Sequence, residues 1–186
     1  MSLQNTKLLI NLDTSGQYRR VIEICRATFL KKHTDYGPSW QILRPTSITD
    51  QLFIKAKRIR TIEETGKNTV SEPVENEYIG IINYSAIALI IIENNFHDET
   101  NIEKLYDSAI SRAFETYLAK NQDYGEAWRD MRTSSLTDLI LMKILRIRSI
   151  EDNHGKTIIS EGVDANYIDI LNYAVFALIQ LLQKKD

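Results

Sequence analysis

Apolar residues recur at intervals of three and four along two well-separated stretches of the chain. Tyr18, Ile22, Cys25 and Leu30 fall on one face of a helix, and Tyr106, Ile110, Phe114 and Leu118 fall on another. The pattern predicts helices over about 14–33 and 102–121. A denser apolar stretch closes each half. In the second half, Ile168, Leu171, Val175, Leu178, Ile179 and Leu182 share one face at 100° per residue. Helices are expected there over 163–184 and, by the matching pattern, over 74–93. Between these lie a Ser-led start at Ser47 or Ser135 and an apolar-periodic run to about Glu64 or Asp152. Both starts read Ser-x-x-Asp (Ser47 to Asp50, Ser135 to Asp138), the form of a capping box. Asp-Tyr-Gly ends the first helix of each half, since glycine suits a helix stop. No stretch alternates convincingly with period two, so the expected fold class is all-α.

The two halves are copies. "KHTDYGPSWQILRPTSITD" at 32–50 returns as "KNQDYGEAWRDMRTSSLTD" at 120–138, and 14 of 30 positions are identical between 35–64 and 123–152. The offset is 88 residues up to Thr65 and 89 beyond it, because the second copy carries one extra residue near Asn153-His154. The repeat units are 14–94 and 102–184, joined by "NNFHDETN" at 94–101. A three-helix unit of this length gains by packing against its twin. A tandem duplication about a pseudo-two-fold axis follows, with the third helices near the centre because they are the most apolar. The two units then form one compact helical domain.

Polar residues kept in both copies are the candidates for chemistry. Lys32, Tyr36, Arg44, Lys55, Arg58 and Asn83 in the first unit match Lys120, Tyr124, Arg132, Lys143, Arg146 and Asn172 in the second. Arginine and lysine suit phosphate, and a loop tyrosine suits a base. Trp40 and Trp128 fit either a core plug or a stacking surface. Arg60 and Arg148 fit either a solvated salt-bridged face or the same cationic set. Glu75, Ile79 and Asn83 form a stripe repeated as Asp164, Ile168 and Asn172. Such polar groups on a core-facing stripe need partners, either a neighbouring backbone or a metal or ligand held between helices. One difference separates the copies: "YIDILNY" carries Asp169 where "YIGIINY" carries Gly80. Net charge differs too, +2 for the first unit and −2 for 102–186.

Composition narrows the classes. The chain has 186 residues, 43% hydrophobic and 26% charged, with a formal charge of −2, and no strong nucleic-acid signal follows from that balance. Cys25 is the single cysteine, which favours an intracellular, cytoplasmic setting. One Cys and three scattered His do not make the usual zinc ligand set. The longest apolar run, about 14 residues over Ile79–Ile92, is too short for a membrane span and fits a buried helix. No P-loop, dinucleotide fingerprint, HExxH or nucleophile elbow occurs.

The segments "DYGxxW…R…S-x-T-D…K…RI" and "NYIDILNYAVFAL" resemble the nucleotide modification associated domain 1 family, over both repeats. The resemblance implies a role in modified-nucleotide metabolism in bacteria and phages. A fainter similarity is to the all-α nucleoside triphosphate pyrophosphohydrolases, whose last acidic helix "DANYIDILNYAVFAL" looks like. That similarity implies Mg²⁺ held by carboxylates. Asp164, Asp169, Glu161 and Glu151 are the ligands it suggests, if the loop at 153–163 folds back. The family's Glu-x-x-Glu pair is missing, since the preceding helix reads "DLILMKILRIRSIED". Two functions are therefore expected to compete. One is a nucleotide-binding protein, in its sharpest form a Mg²⁺-dependent pyrophosphohydrolase, taking a nucleotide or other phosphorylated small molecule. The other is a non-catalytic helical interaction or structural module. The chain could pair again as a homodimer. Asp169 makes the second unit the expected competent half, with the first a packed, degenerate partner.

Overall fold

The structure, a computed structural model, describes residues 12–93, 101–156 and 161–184. Residues 94–100 of the expected joint, and 157–160 of the loop expected to fold back, lie outside them. Among the described residues six α-helices follow one another: α1 (Thr14–Tyr36), α2 (Pro45–Thr65), α3 (Val74–Ile92), α4 (Ile102–Tyr124), α5 (Thr133–Asp152) and α6 (Val163–Gln183). Short 3₁₀ turns at Ser39–Ile42 and Ala127–Asp130 carry the two tryptophans. No strand occurs among the described residues. The protein is an all-α tandem duplication, with α1–α3 repeated as α4–α6.

Two expected boundaries shift, each for a local reason. Helices α1 and α4 run through the Asp-Tyr pair and stop only at Gly37 and Gly125. These adopt φ of 61° and 59°, a region costly for residues with a Cβ. Helices α2 and α5 start earlier than the expected capping boxes. Pro45 opens α2, where its fixed φ suits the first turn. Neither helix has a side-chain cap, and Arg44 and Arg132 hold the cap positions. The Ser-x-x-Asp motifs sit a turn inside, where their Thr and Asp reach the opposite unit instead.

The third helices are the centre, as their apolarity requires. Helices α3 and α6 pack on each other more extensively than any other pair. Their residues join α1, α2, α4 and α5 in one continuous apolar core. Helix α6 is long and apolar enough to cross a bilayer, unlike the Ile79–Ile92 run first considered. Its apolar window is, however, 83% buried within the protein, as befits a core helix.

Four fully buried tyrosines, Tyr18, Tyr78, Tyr106 and Tyr167, bind the units together. Each hydroxyl crosses to the other unit. Tyr18 donates to Asn172 at 2.7 Å, and its counterpart Tyr106 donates to Asn83 at 2.8 Å. Tyr167 meets Thr49 at 2.7 Å, and Tyr78 meets Thr137 at 2.8 Å. Thr49 in turn donates to Glu151 at 2.8 Å, and Thr137 donates to Glu63 at 2.9 Å. Arg148 pairs with Asp50 at 2.5 Å while Arg60 reaches Asp138 at 3.4 Å. In every case residue i meets j and the copy of j meets the copy of i, which is the rule of an isologous two-fold interface.

Candidate functional site

The lysines of the second helices set the site's geometry. In the second unit Lys143 on α5 is buried, and so is Asp169 on α6; their charged groups meet at 2.6 Å. The other oxygen of Asp169 accepts from Lys120 of α4, also at 2.6 Å. One carboxylate is thus clamped between two ammonium groups. Burial alone would draw the Lys120 ammonium down, but the hydrogen bond and charge of Asp169 outweigh it and raise Lys120 above its ordinary value. Two turns further along α6, the ring of Phe176 stacks on Trp128 with centroids 4.6 Å apart and planes at 10°.

The first unit keeps both lysines and loses both of those space-filling groups. Gly80 replaces Asp169, and Ile87 replaces Phe176. A cavity of about 570 Å³ lies here, lined among others by Lys32, Tyr36, Trp40, Lys55, Gly80, Asn83, Tyr84 and Ile87. Its volume is in the range of small-molecule sites. The Lys55 side chain runs over Gly80, so a Cβ there would lie 2.8 Å from its Cε. The Lys55 ammonium stands 5.8 Å above the Tyr84 ring and 3.3 Å from Glu77. Glu77 bonds more closely to Arg58, at 2.7 Å. Lys32 forms no ion pair among the described residues. The first unit therefore still has an acid on its third helix, moved one turn: Glu77 and Gly80 stand where the second unit has Asn166 and Asp169.

The candidate residues fall into three groups. Lys32, Tyr36, Lys55 and Asn83 line the cavity, with Tyr36 70% exposed at its mouth. Arg44 and Arg132 are exposed at helix starts, Arg146 and Tyr124 are also exposed, and Arg58 is held by Glu77, Asn68 and the Glu72 carbonyl. Asn83 and Asn172 are committed to structure. Each accepts from a tyrosine of the other unit and donates back to a helix carbonyl, Cys25 at 3.1 Å and Ala113 at 3.0 Å. Trp40 and Trp128 are buried plugs of the 3₁₀ turns.

The proposed metal ligands do not converge. Asp169 is neutralised by its two lysines, Glu151 accepts from Thr49 across the interface, and Asp164 faces Arg112 at 3.5 Å while half-exposed. Glu161 is exposed at the approach to α6. Among the described residues no group of three or more His, Cys, Asp or Glu could hold a metal ion. The set does not fit Mg²⁺, which needs several oxygens in one place. The second unit is the expected competent half, yet the cavity described above belongs to the first. The matching place in the second is taken by Asp169 and Phe176.

Sequence reasoning missed Glu77, Tyr84 and Ile87. Two paired differences between the copies, Glu77/Asn166 with Gly80/Asp169, could have disclosed the shifted acid. Ile87/Phe176 could have disclosed the space.

Residues 32–92 and 120–181 each match the model of the family described as nucleotide modification associated domain 1, together about two thirds of the chain. The chain belongs to that family, in two tandem copies, and its domain is associated with nucleotide modification. No curated protein and no solved structure matches. The fainter similarity to the pyrophosphohydrolases gains no support from these comparisons.

Proposed function

We propose that this member of the nucleotide modification associated domain 1 family binds a nucleotide, or a closely related phosphorylated small molecule, in modified-nucleotide metabolism. The site is the cavity of the first unit. The observation that carries this reading is that two lysines, Lys32 and Lys55, and the rings of Tyr36, Trp40 and Tyr84 line one cavity of about 570 Å³. Ammonium groups match phosphate oxygens, and aromatic rings match a base. The carboxylates that the pyrophosphohydrolase reading would use for Mg²⁺ are dispersed, so catalysis through a protein-held metal has no ligand set in these residues.

The competing reading is a helical module without a ligand. Its support is that several residues kept in both copies, among them Asn83, Asn172, Thr49 and Thr137, bond across to the other unit. A thermal-shift panel of nucleoside mono-, di- and triphosphates with ordinary and modified bases, with and without Mg²⁺, separates the two. A ligand at 100 times its dissociation constant adds about 2.7 kcal/mol to stability. That corresponds to a rise of roughly 5–11 °C for a chain of this size. The rise should vanish in the Lys32→Ala, Lys55→Ala double variant. A flat response across the panel overturns nucleotide binding and leaves the module.

A further inference from the structure

Resting on that reading, we infer that the ligand's terminal oxyanion sits between Lys32 and Lys55 over Gly80, the place that the Asp169 carboxylate fills in the second unit. The duplication supplies the map. Lys120 and Lys143 are the copies of Lys32 and Lys55, and each contacts one oxygen of Asp169 at 2.6 Å. The second unit thus carries a covalently attached occupant of its own anion position. In the first unit the matching residue is Gly80, which carries no such group, and the matching lysines line a cavity. Glu77 does not take over the role. It lies one turn away, bonds to Arg58 at 2.7 Å, and approaches Lys55 only to 3.3 Å.

The exchange of Phe176 for Ile87 removes a second block from the same cavity, leaving room for a body attached to the anion. A two-oxygen clamp by two ammonium groups suits a phosphate monoester and also a carboxylate. Lysine ammonium groups hold either as point charges. The second unit, by contrast, is self-occupied and takes no ligand.

Reciprocal transplants test this. Gly80→Asp would set a carboxylate on the first unit's anion position. The Cβ would displace only the far end of the Lys55 side chain, so the fold should survive. Asp169→Gly would vacate the second unit's position. Calorimetry would use inorganic phosphate, acetate and the nucleoside monophosphate that performs best in the panel, with circular dichroism to confirm helicity.

The expected result is that phosphate competes with the nucleotide on the parent protein and acetate does not. Gly80→Asp should weaken nucleotide binding about 100-fold, the loss of two charge-assisted contacts. Asp169→Gly should gain a second phosphate site per chain, seen also as a phosphate-dependent rise in its melting temperature. If the parent binds nucleotide but Gly80→Asp binds equally well, the inference is overturned and nucleotide binding stands. Acetate binding to the parent where neither phosphate nor nucleotide binds keeps the anion position and overturns the nucleotide. No binding of any probe by the parent overturns both.

Discussion

Asn172→Ala tests the interface at its most buried polar point. The amide accepts from Tyr18 at 2.7 Å and donates to the Ala113 carbonyl at 3.0 Å, with only 4% of the residue exposed. Removing it leaves the Tyr18 hydroxyl buried without its acceptor, and that residue is 1% exposed. An orphaned buried hydroxyl costs about 1–3 kcal/mol, and the lost amide contacts add about another 1 kcal/mol. A total of about 2–4 kcal/mol lowers the melting temperature by roughly 4–16 °C. Tyr18→Phe should cost less, about 1–2 kcal/mol, because it orphans only the Asn172 oxygen. In the double variant the orphan penalty is not incurred twice, so the two costs should fall short of additivity by about 1 kcal/mol. Urea unfolding followed by circular dichroism measures all three, and a single transition with an unchanged slope shows that the units still unfold together. The copied pair, Asn83 with Tyr106, should give the same pattern, somewhat weaker because Asn83 borders the cavity. Additivity within about 0.3 kcal/mol would refute the cross-unit hydrogen bond as the source of the cost.

Two further outcomes follow from the charges. Lys143→Met should destabilise the chain by about 3 kcal/mol, since it strips a buried partner from the buried Asp169; Lys55→Met should cost under about 1 kcal/mol, because Glu77 keeps Arg58. Denaturant titrations of the two variants compare them directly, and equal losses would contradict the clamp. Burial raises the carboxyls of Glu63 and Glu151 above their ordinary 4.5, although the Thr137 and Thr49 hydroxyls partly oppose the shift. The folded chain therefore holds these protons to higher pH than the unfolded chain does. Their contribution is complete below 4.5 and is lost as pH rises through the raised folded values. Replacing both by Gln should raise the melting temperature at neutral pH and flatten its fall as pH rises above 4.5; an unchanged profile would show that neither group is desolvated.

The helices, the duplication and the central place of α3 and α6 were legible because each rests on periodicity, which the chain carries locally. The helix starts were not. Ser47 and Asp50 have the spacing of a capping box, yet Asp50 and its neighbour Thr49 find their partners in Arg148, Glu151 and Tyr167 of the other unit, which no local window contains. Asn83 and Asn172 were legible as polar groups needing partners, but not as structural ones. Their tyrosines lie 23 and 154 residues away in the chain. The site was half legible. Lys32, Tyr36 and Lys55 stood out by repetition, while the location of the cavity depended on what had changed between copies. Repetition marks what both halves need to fold, whereas a site confined to one half is written in the differences. In sequence Asp169 has the look of a gain and Gly80 of a loss; in the structure a carboxylate between two lysines fills the position that a glycine leaves open.

The continuous chain through both units has an evolutionary consequence. In a homodimer of identical three-helix subunits, any substitution enters both subunits at once. A plug such as Asp169 would then close both clefts together, and a glycine would open both and take the carboxylate from between the lysines of each. Fusing the subunits into one polypeptide lifts that constraint. One half is free to become a rigid buttress, stapled by its own ion pairs, while the other spends its equivalent positions on a vacancy. The four crossing tyrosines keep such specialisation from becoming separation, because neither half can satisfy its buried hydroxyls alone.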